Sequence, residues 1–333
     1  MSEPQAAAGA TAEAGSAGAM QTGEAGAGTE GGAASAAGAT DTAGAAGTAG
    51  AAGAAGTADT EGGAGGAAPD LGHPAITDTD GDGFEDSNDP DPNNASVPGD
   101  FSTPEKILQD PRVKAALAGA KAAGAEVATH TELTVPNVSG YYLIADGAGH
   151  FVASGDGSDV GRAAAGTEER ITSYADRTLD TASVQFTGGA PVNFGFSQGT
   201  LLRGTPSEIT LYSRNKGVCT LNGASFAIYT IAIGSAVIDA TSGDWKTQRT
   251  IGVTLSTQGT LTSACADSFA ANLETTGGWV ASVSPLSSFV TAGQLSYMCV
   301  DEKAAYAPTE RWTRASGASC TCALPHSVSC SAP

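Results

Sequence analysis

Short runs of β-branched and aromatic residues, separated by turn residues, extend from Thr134 almost to the C-terminus. The clearest runs are VSGYYLIA at 138–145, VNFGF at 192–196, EITLYS at 208–213, FAIYTIAIGSAVIDA at 226–240 and IGVTLST at 251–257. Gly, Ser, Asp and Thr dominate the turns between them. Strands of this kind without intervening helical periodicity favour antiparallel packing over a parallel α/β fold. The expected fold class is therefore mainly β, an antiparallel β-sandwich or barrel at 131–333.

A short helical segment is predicted just before this region, at 101–130. Ser102 or Thr103 can cap a helix, Pro104 suits the first turn, and Glu105 favours the positive end of the helix dipole. Pro111 marks either a break or the start of a second helix. We therefore expect one or two short helices that cover the β-rich domain.

The N-terminal part of the chain is a low-complexity tail. Residues 1–70 consist almost wholly of Ala, Gly, Thr, Ser and Glu, without an aromatic residue, Lys or Arg. Such a segment buries too little apolar surface to offset its ordering entropy, which predicts a long disordered Gly/Ala-rich linker. Glycine recurs every third residue at 44–56, but without proline this period does not predict a collagen-like helix.

Charge is distributed unevenly and excludes some partners. Residues 1–100 carry 16 of the 35 acidic groups and none of the 15 basic groups, which leaves 101–333 at a net charge of only −4. Because no basic patch interleaved with aromatic residues is evident, nucleic acid is not an expected partner. The chain also lacks an apolar run of about 18 residues, so no membrane span is expected.

The six cysteines all lie between residues 219 and 330, and their even number predicts three disulfides formed in an oxidising compartment. The N-terminal sequence has no basic or apolar signal-peptide region. We therefore expect that a signal peptide or lipoprotein anchor has been lost from the N-terminus, and that the protein is extracellular or on the outer cell surface. The alternative is reduced cysteines in the cytosol.

The acidic stretch DTDGDGFEDSNDPDPNN, at 78–94, has the spacing of a calcium loop within a predicted hinge at 71–100. Calcium prefers six to eight oxygen ligands, and this alternation can turn successive carboxylates toward one centre. Gly83 permits a sharp reversal at the sixth place. The predicted ligands occupy places one, three, five, seven, nine and twelve: Asp78, Asp80, Asp82, the carbonyl of Phe84, Asp86 and Asp89.

These residues resemble the bacterial thrombospondin type 3 repeat, with its DxDGDGxxDxxD core followed by aspartate and proline. The resemblance covers about 17 of the 333 residues, in a single copy. It implies Ca²⁺ binding through the five aspartates and a role in stiffening surface proteins. An EF-hand fits less well, because Pro74 and the DPDPNN segment leave little room for flanking helices.

The C-terminal cysteines allow a second kind of metal site. Cys320, Cys322, His326 and Cys330 are residue types that can hold zinc, although disulfides account for all six cysteines more simply. Cys320 and Cys322 are too close to pair with each other, so each is expected to bridge elsewhere.

A hydrolytic triad and a sugar-binding face are also compatible with the residue types present. His150, Ser154, Asp156 and Asp159 could supply a triad, but their glycine-rich context favours a surface turn. The tryptophans and tyrosines are expected mostly as core or turn anchors, and Trp245, in the sequence GDW, is the best candidate for an exposed aromatic that could stack on a sugar.

Two functions follow from the sequence. The first is a calcium-binding structural or binding protein that presents its β-rich domain on a flexible spacer to a glycan or a cell-surface protein. In this interpretation removing calcium changes the reach of the spacer and leaves the fold of 101–333 intact. The second is a polysaccharide hydrolase with a carboxylate pair drawn from Glu168, Glu169, Asp239 and Asp244.

Overall fold

The computed structural model of the chain describes residues 75–221, 224–262, 270–323 and 327–331. The linker predicted to be disordered at 1–70, including its glycine period, lies outside the described residues. So do Pro74, Cys265 and His326.

Two short helices precede the strands, as the capping pattern predicted. Helix α1 spans Pro104–Gln109 and helix α2 spans Pro111–Ala122. The Thr103 hydroxyl accepts the Lys106 amide and starts α1, whereas the Asp110 carboxylate accepts the Arg112 and Val113 amides and starts α2. Pro111 therefore begins a second helix rather than ending the segment. In the described part of the chain, neither helix is long and apolar enough to cross a membrane.

Nine strands form one antiparallel sheet, in the order β1-β3-β4-β5-β6-β7-β8-β9-β2. Strand β1 pairs with β3 on one side and with β9 on the other, so eight strands close into a barrel and β2 adds to β9. Of the two predicted architectures, the structure is the barrel. The strands are β1 Gly140–Ile144, β2 His150–Ser154, β3 Gly166–Ser173, β4 Thr178–Thr187, β5 Ala190–Gly204, β6 Glu208–Leu221, β7 Ala224–Ile238, β8 Trp245–Gly259 and β9 Trp279–Val290.

The barrel interior has an apolar cluster at each end. The first gathers side chains from seven different strands, which can meet only inside the barrel; they are Tyr142, Ile171, Leu179, Leu202, Ile209, Ala236 and Trp245. The second combines Phe151, Phe226, Ile228 and Val280 with Leu273 of a 3₁₀ helix at Ala271–Leu273. Both ends are therefore filled by large side chains.

A third apolar cluster covers the outside of β6 to β9. Ile231, Ile233, Ile251 and Val253 pack against residues of α1 and α2. Phe84, from the acidic stretch, belongs to the same cluster and is fully buried. The segment at 71–100, predicted as a hinge, thus contributes a core residue to the barrel.

The C-terminal residues form a small module on the outside of β1 and β4. Its strands are β10 Cys299–Asp301, β11 Ala304–Tyr306, β12 Arg311–Thr313, β13 Ser319–Ala323 and β14 Ser327–Cys330. Met298 and Ala305 pack there against Val184 and Leu143. Disulfides join Cys299 to Cys322 and Cys320 to Cys330, and Cys219 is also disulfide-bonded. These bonds indicate folding in an oxidising compartment outside the cytosol.

Candidate metal centre

The acidic loop is folded by its own aspartate side chains. Asp78 accepts the Gly81 amide at 2.7 Å through one oxygen and the Gly83 amide at 2.9 Å through the other. Asp80 accepts the Asp82 amide at 3.2 Å, and Asp82 accepts the Phe84 amide at 2.7 Å. Asp80 and Asp82 each use Oδ1 for these bonds, which leaves Oδ2 available to a ligand.

The carboxylates of Asp78, Asp80 and Asp82 converge, because each offers an oxygen within 4.8 Å of the others. The Oδ2 atoms of Asp80, Asp82 and Asp89 are enclosed and have no hydrogen-bond partner among the residues that the structure describes. Asp82 is fully buried and Asp89 is 6 % exposed. Burying a carboxylate oxygen without a donor or cation is costly, so these atoms form an acceptor set that suits a hard cation.

The aspartate carboxylates of the loop are close together and partly removed from water, which raises the pKa of two of them. Burial, reinforced by the charges of Asp89, Asp80 and Asp78, raises the pKa of the Asp82 carboxyl to about 7. Burial also raises the pKa of Asp89, with the charges of Asp80, Asp78 and Asp91 adding to the shift. The amides of Phe84 and Asp91 oppose these shifts but do not cancel them. A divalent cation would offset the repulsion directly.

Two predicted ligands have further contacts. Asp86 lies in a 3₁₀ helix at Asp86–Asn88, and its carboxylate accepts the Thr79 amide and the Thr79 hydroxyl, both at 2.7 Å. The structure therefore brings Asp78, Asp80 and Asp82 together, places Asp89 within electrostatic reach, and ties Asp86 to the loop backbone. The ring of Phe84 is buried in the outer core, and its carbonyl remains a predicted ligand.

The loop is anchored to the barrel at several points. The Phe101 amide donates to the Asp82 carbonyl at 2.6 Å, and Lys216 of β6 donates to the Ser87 carbonyl at 3.0 Å. Arg214 of β6 donates to the carbonyls of Phe101 and Gly199. Burial lowers the pKa of Arg214 to about 10, while the charges of Asp78 and Asp82 act in the opposite direction.

These two basic residues of β6 were not predicted from the sequence as part of the site. Arg214 and Lys216 alternate along the strand, a pattern typical of a polar strand face. Two cations two residues apart on one face of a predicted strand were a usable signal. Their acidic counterpart lies more than 100 residues away in the chain, so the pairing itself was not readable.

The carboxylates considered for a hydrolase lie in different local environments. Glu168 and Glu169 are adjacent on β3 and point to opposite faces. The Glu168 carboxylate accepts hydrogen bonds from the three backbone amides at 296–298. Asp239 pairs with Lys246, whose hydrogen bond is the largest cause that lowers the pKa of Asp239 to about 2. Asp244 accepts the Phe289 amide at 2.7 Å. Glu168, Asp239 and Asp244 therefore each hold a neighbouring segment in place.

The triad residues are also separated. His150 and Ser154 lie at the two ends of β2, about 13 Å apart at 3.3 Å per residue. Asp159 is fully buried and forms an ion pair with Arg162. Ser154 and Asp156 belong to a turn, as the glycine-rich context predicted.

The structure excludes two alternatives that the sequence left open, a zinc site and an exposed tryptophan. The zinc interpretation is wrong, because Cys320, Cys322 and Cys330 are oxidised in disulfides and offer no thiolate. As predicted, Cys320 and Cys322 bridge to different cysteines. Trp245 is a core residue, as expected of most aromatic residues at this spacing, because its ring is 1 % exposed and packs against Tyr142 inside the barrel. The alternative of an exposed sugar-stacking ring is excluded.

An open cavity of about 430 Å³ lies where α2 ends beside β8, and Lys121, Gly124, Glu126, Ala128 and Arg249 line it. Its one carboxylate, Glu126, pairs with Lys121 at 2.5 Å. The cavity therefore lacks the two carboxylates that glycoside hydrolysis requires.

Comparisons of the chain with protein-family models, curated proteins and solved structures gave no match. The functional argument therefore rests on the geometry of the site.

Proposed function

We propose that this protein is an extracellular calcium-binding structural protein in which the ion fastens the acidic loop to a β-barrel carried on a Gly/Ala-rich spacer. One observation carries the proposal: the enclosed Oδ2 atoms of Asp80, Asp82 and Asp89 have no hydrogen-bond partner beside the converging Asp78 carboxylate. The ligands are Asp78, Asp80, Asp82 and Asp89, with the Phe84 carbonyl. Oxygen-only ligands favour calcium over zinc or copper.

The packing of the loop modifies the role expected for the ion. Phe84 follows the ligand Asp82 by two residues and belongs to the same core cluster as Ile231 and Ile251. Calcium that holds the carboxylates together therefore also holds Phe84 in the core. We expect calcium to stabilise the barrel itself, rather than only to stiffen a connection to it.

The setting of the site supports an extracellular role. The disulfides require an oxidising compartment. A single loop of this kind is expected to bind with a Kd of about 10⁻⁴ to 10⁻³ M, the range of extracellular calcium modules. A glycan or a cell-surface protein remains the proposed partner of the domain, and an N-terminal anchor remains the proposed means of attachment.

Isothermal titration calorimetry of the full chain with CaCl₂, after chelation and dialysis, tests the proposal. Asp82→Asn should weaken binding at least about tenfold, because it removes charge from the most buried predicted ligand. Asp156→Asn is the matched control, since Asp156 lies in an exposed turn away from the loop. Asp86→Asn should have a smaller effect than Asp82→Asn, because Asp86 is held by Thr79.

The same samples should show calcium-dependent thermal unfolding. At a free calcium concentration ten times the Kd, binding adds about 1.4 kcal/mol to the free energy of unfolding. The proposal is overturned if 10 mM calcium produces neither binding heat nor a rise in Tm. It is also overturned if Asp82→Asn binds calcium as tightly as the control Asp156→Asn.

A further inference from the structure

The two adjacent glutamates of β3 have opposite environments. Glu168 faces outward and is bonded to the backbone at 296–298. Glu169 pairs across the sheet with Tyr142 on β1 and with Ser183 on β4. Tyr142 belongs to the cluster at one end of the barrel interior, so its cross-strand neighbour Glu169 also faces inward.

The middle of the barrel is lined by small residues. Gly252 of β8 pairs with Ala232 and Val280, and Val280 belongs to the inner apolar cluster. Eight strands enclose a space that is just wide enough for ordinary side chains to fill. Glycine, alanine and serine leave part of that width empty. The inward positions beside Glu169 and between the two apolar ends include Ser183, Ala232, Gly234, Thr250, Gly252 and Ser282.

Several side chains that face into the barrel are only partly buried, which is evidence of unfilled space there. Glu169 is surrounded by protein, yet its side chain still touches open volume. Leu211, Thr250 and Ser282 are likewise only partly buried, although they face into the closed barrel. Surface that remains accessible at inward positions indicates free space inside the barrel.

Several polar atoms at inward positions of the barrel have no partner among the described residues. Within the described residues, the Glu169 carboxylate has no hydrogen-bond or ion-pair partner, and its burial raises its pKa to about 7. The Gln248 Oε1 atom and the hydroxyls of Thr181 and Thr230 are enclosed without partners. A carboxylate with additional free acceptors is complementary to a cation that carries several N–H donors.

Aromatic rings lie beside the carboxylate. Tyr142 and Trp245 pack with ring centroids 4.5 Å apart, and the charge of Glu169 contributes to raising the pKa of the Tyr142 phenol. Phe289 packs on Tyr142 and is 39 % exposed, so the aromatic stack extends from the interior to solvent. Aromatic faces beside a carboxylate favour ammonium groups.

We propose that the barrel encloses a hydrated chamber that binds one small primary ammonium ion at Glu169, between the aromatic end of the barrel and the unpaired acceptors of its interior. This site is separate from the calcium loop, which lies on the outer face. Binding requires the ionised carboxylate, so it strengthens as the pH rises from 5 to 8. Two other titratable groups lie in this region. Tyr142 stays neutral in this range because burial raises the pKa of its phenol. Asp244, whose charge also acts on Tyr142, accepts the Phe289 amide.

The test is the binding of methylammonium chloride to the full chain in saturating calcium, with equimolar NaCl as the reference. Methylammonium should raise Tm at pH 8 and have little effect at pH 5. Glu169→Gln should weaken this binding at least about tenfold at pH 8. Glu302→Gln, which changes an exposed glutamate in the C-terminal module, should leave it unchanged.

Because Glu169→Gln preserves side-chain volume, the variant should fold, and a far-UV circular dichroism spectrum like that of the wild type checks its integrity. The proposal is overturned if methylammonium and sodium have equal effects on the wild type, as expected of a chamber that holds only water. It is also overturned if Glu169→Gln responds like the wild type. Since calcium is saturating throughout, neither result depends on the role proposed for the acidic loop.

Discussion

The rings of Phe84 and Phe101 meet edge to face, with centroids 6.1 Å apart and ring planes inclined by 83°. Phe84 lies within the acidic loop and Phe101 immediately precedes the helical cap, so this contact joins the two segments over the outer face of the barrel. Both side chains are almost completely buried. The candidate metal centre is thus connected to the core through one aromatic pair.

Replacing Phe84 by Ala should destabilise the domain and weaken calcium binding together. Removing a fully buried phenylalanine costs about 3–5 kcal/mol of unfolding free energy. Urea unfolding with calcium and with chelator measures the loss. Phe289→Ala is the control, since Phe289 is 39 % exposed. A loop that acts only as a hinge would lose calcium affinity without loss of barrel stability, and that outcome would contradict the coupling.

Replacing Gly83 by Ala should be more damaging than replacing Gly81 by Ala. Both glycines have positive φ angles, +99° and +76°, at which alanine costs about 1–2 kcal/mol. A Cβ at Gly83 would also lie 2.7 Å from Ser102 Cα and 2.8 Å from the Phe101 carbonyl, whereas Gly81 faces open space. Calcium titration and thermal unfolding of the two variants compare the effects. Equal losses would show that the loop does not pack against 101–102.

Replacing Glu168 by Gln should loosen the C-terminal module. The Glu168 carboxylate accepts the amides of Ser296, Tyr297 and Met298, and the Tyr297 bond measures 2.8 Å. The amide variant loses charge-assisted acceptance for at least one of these donors, which costs about 1–3 kcal/mol. Hydrogen exchange should accelerate at 296–298, with Glu302→Gln as the control. Unchanged exchange at these amides would refute this role.

Replacing Glu169 by Gln should remove a pH dependence of stability. The pKa of Glu169 is raised from its ordinary 4.5 to about 7, so the folded state binds more protons than the unfolded state between these values. The unfolding free energy therefore falls as pH rises through this window, by at most about 3 kcal/mol. Urea unfolding at pH 5 and pH 8, in saturating calcium, should show the variant gaining stability over the wild type mainly at pH 8. An equal difference at both pH values would contradict the assignment.

Local patterns in the chain determined much of the architecture. Thr103, Pro104 and Pro111 predicted the two short helices, because capping and proline geometry act within one helical turn. The alternating runs after Thr134 predicted antiparallel strands, because the side-chain period of a strand is local. The spacing of Asp78, Asp80 and Asp82 predicted their convergence for the same reason, since the turns of this loop are made by its own side chains.

The tertiary structure decided every feature that depends on which face of a strand meets which neighbour. Closure of β1 onto β9 turned Glu169 inward and Trp245 into the core, and adjacent residues such as Glu168 and Glu169 acquired opposite environments. The pairing of Cys320 and Cys322 with distant cysteines and the anchoring of the acidic loop by Arg214 and Lys216 also follow from contacts between residues remote in the chain. Local sequence specifies turns and alternation, whereas the free energy of burial is shared among residues that only the closed barrel brings together.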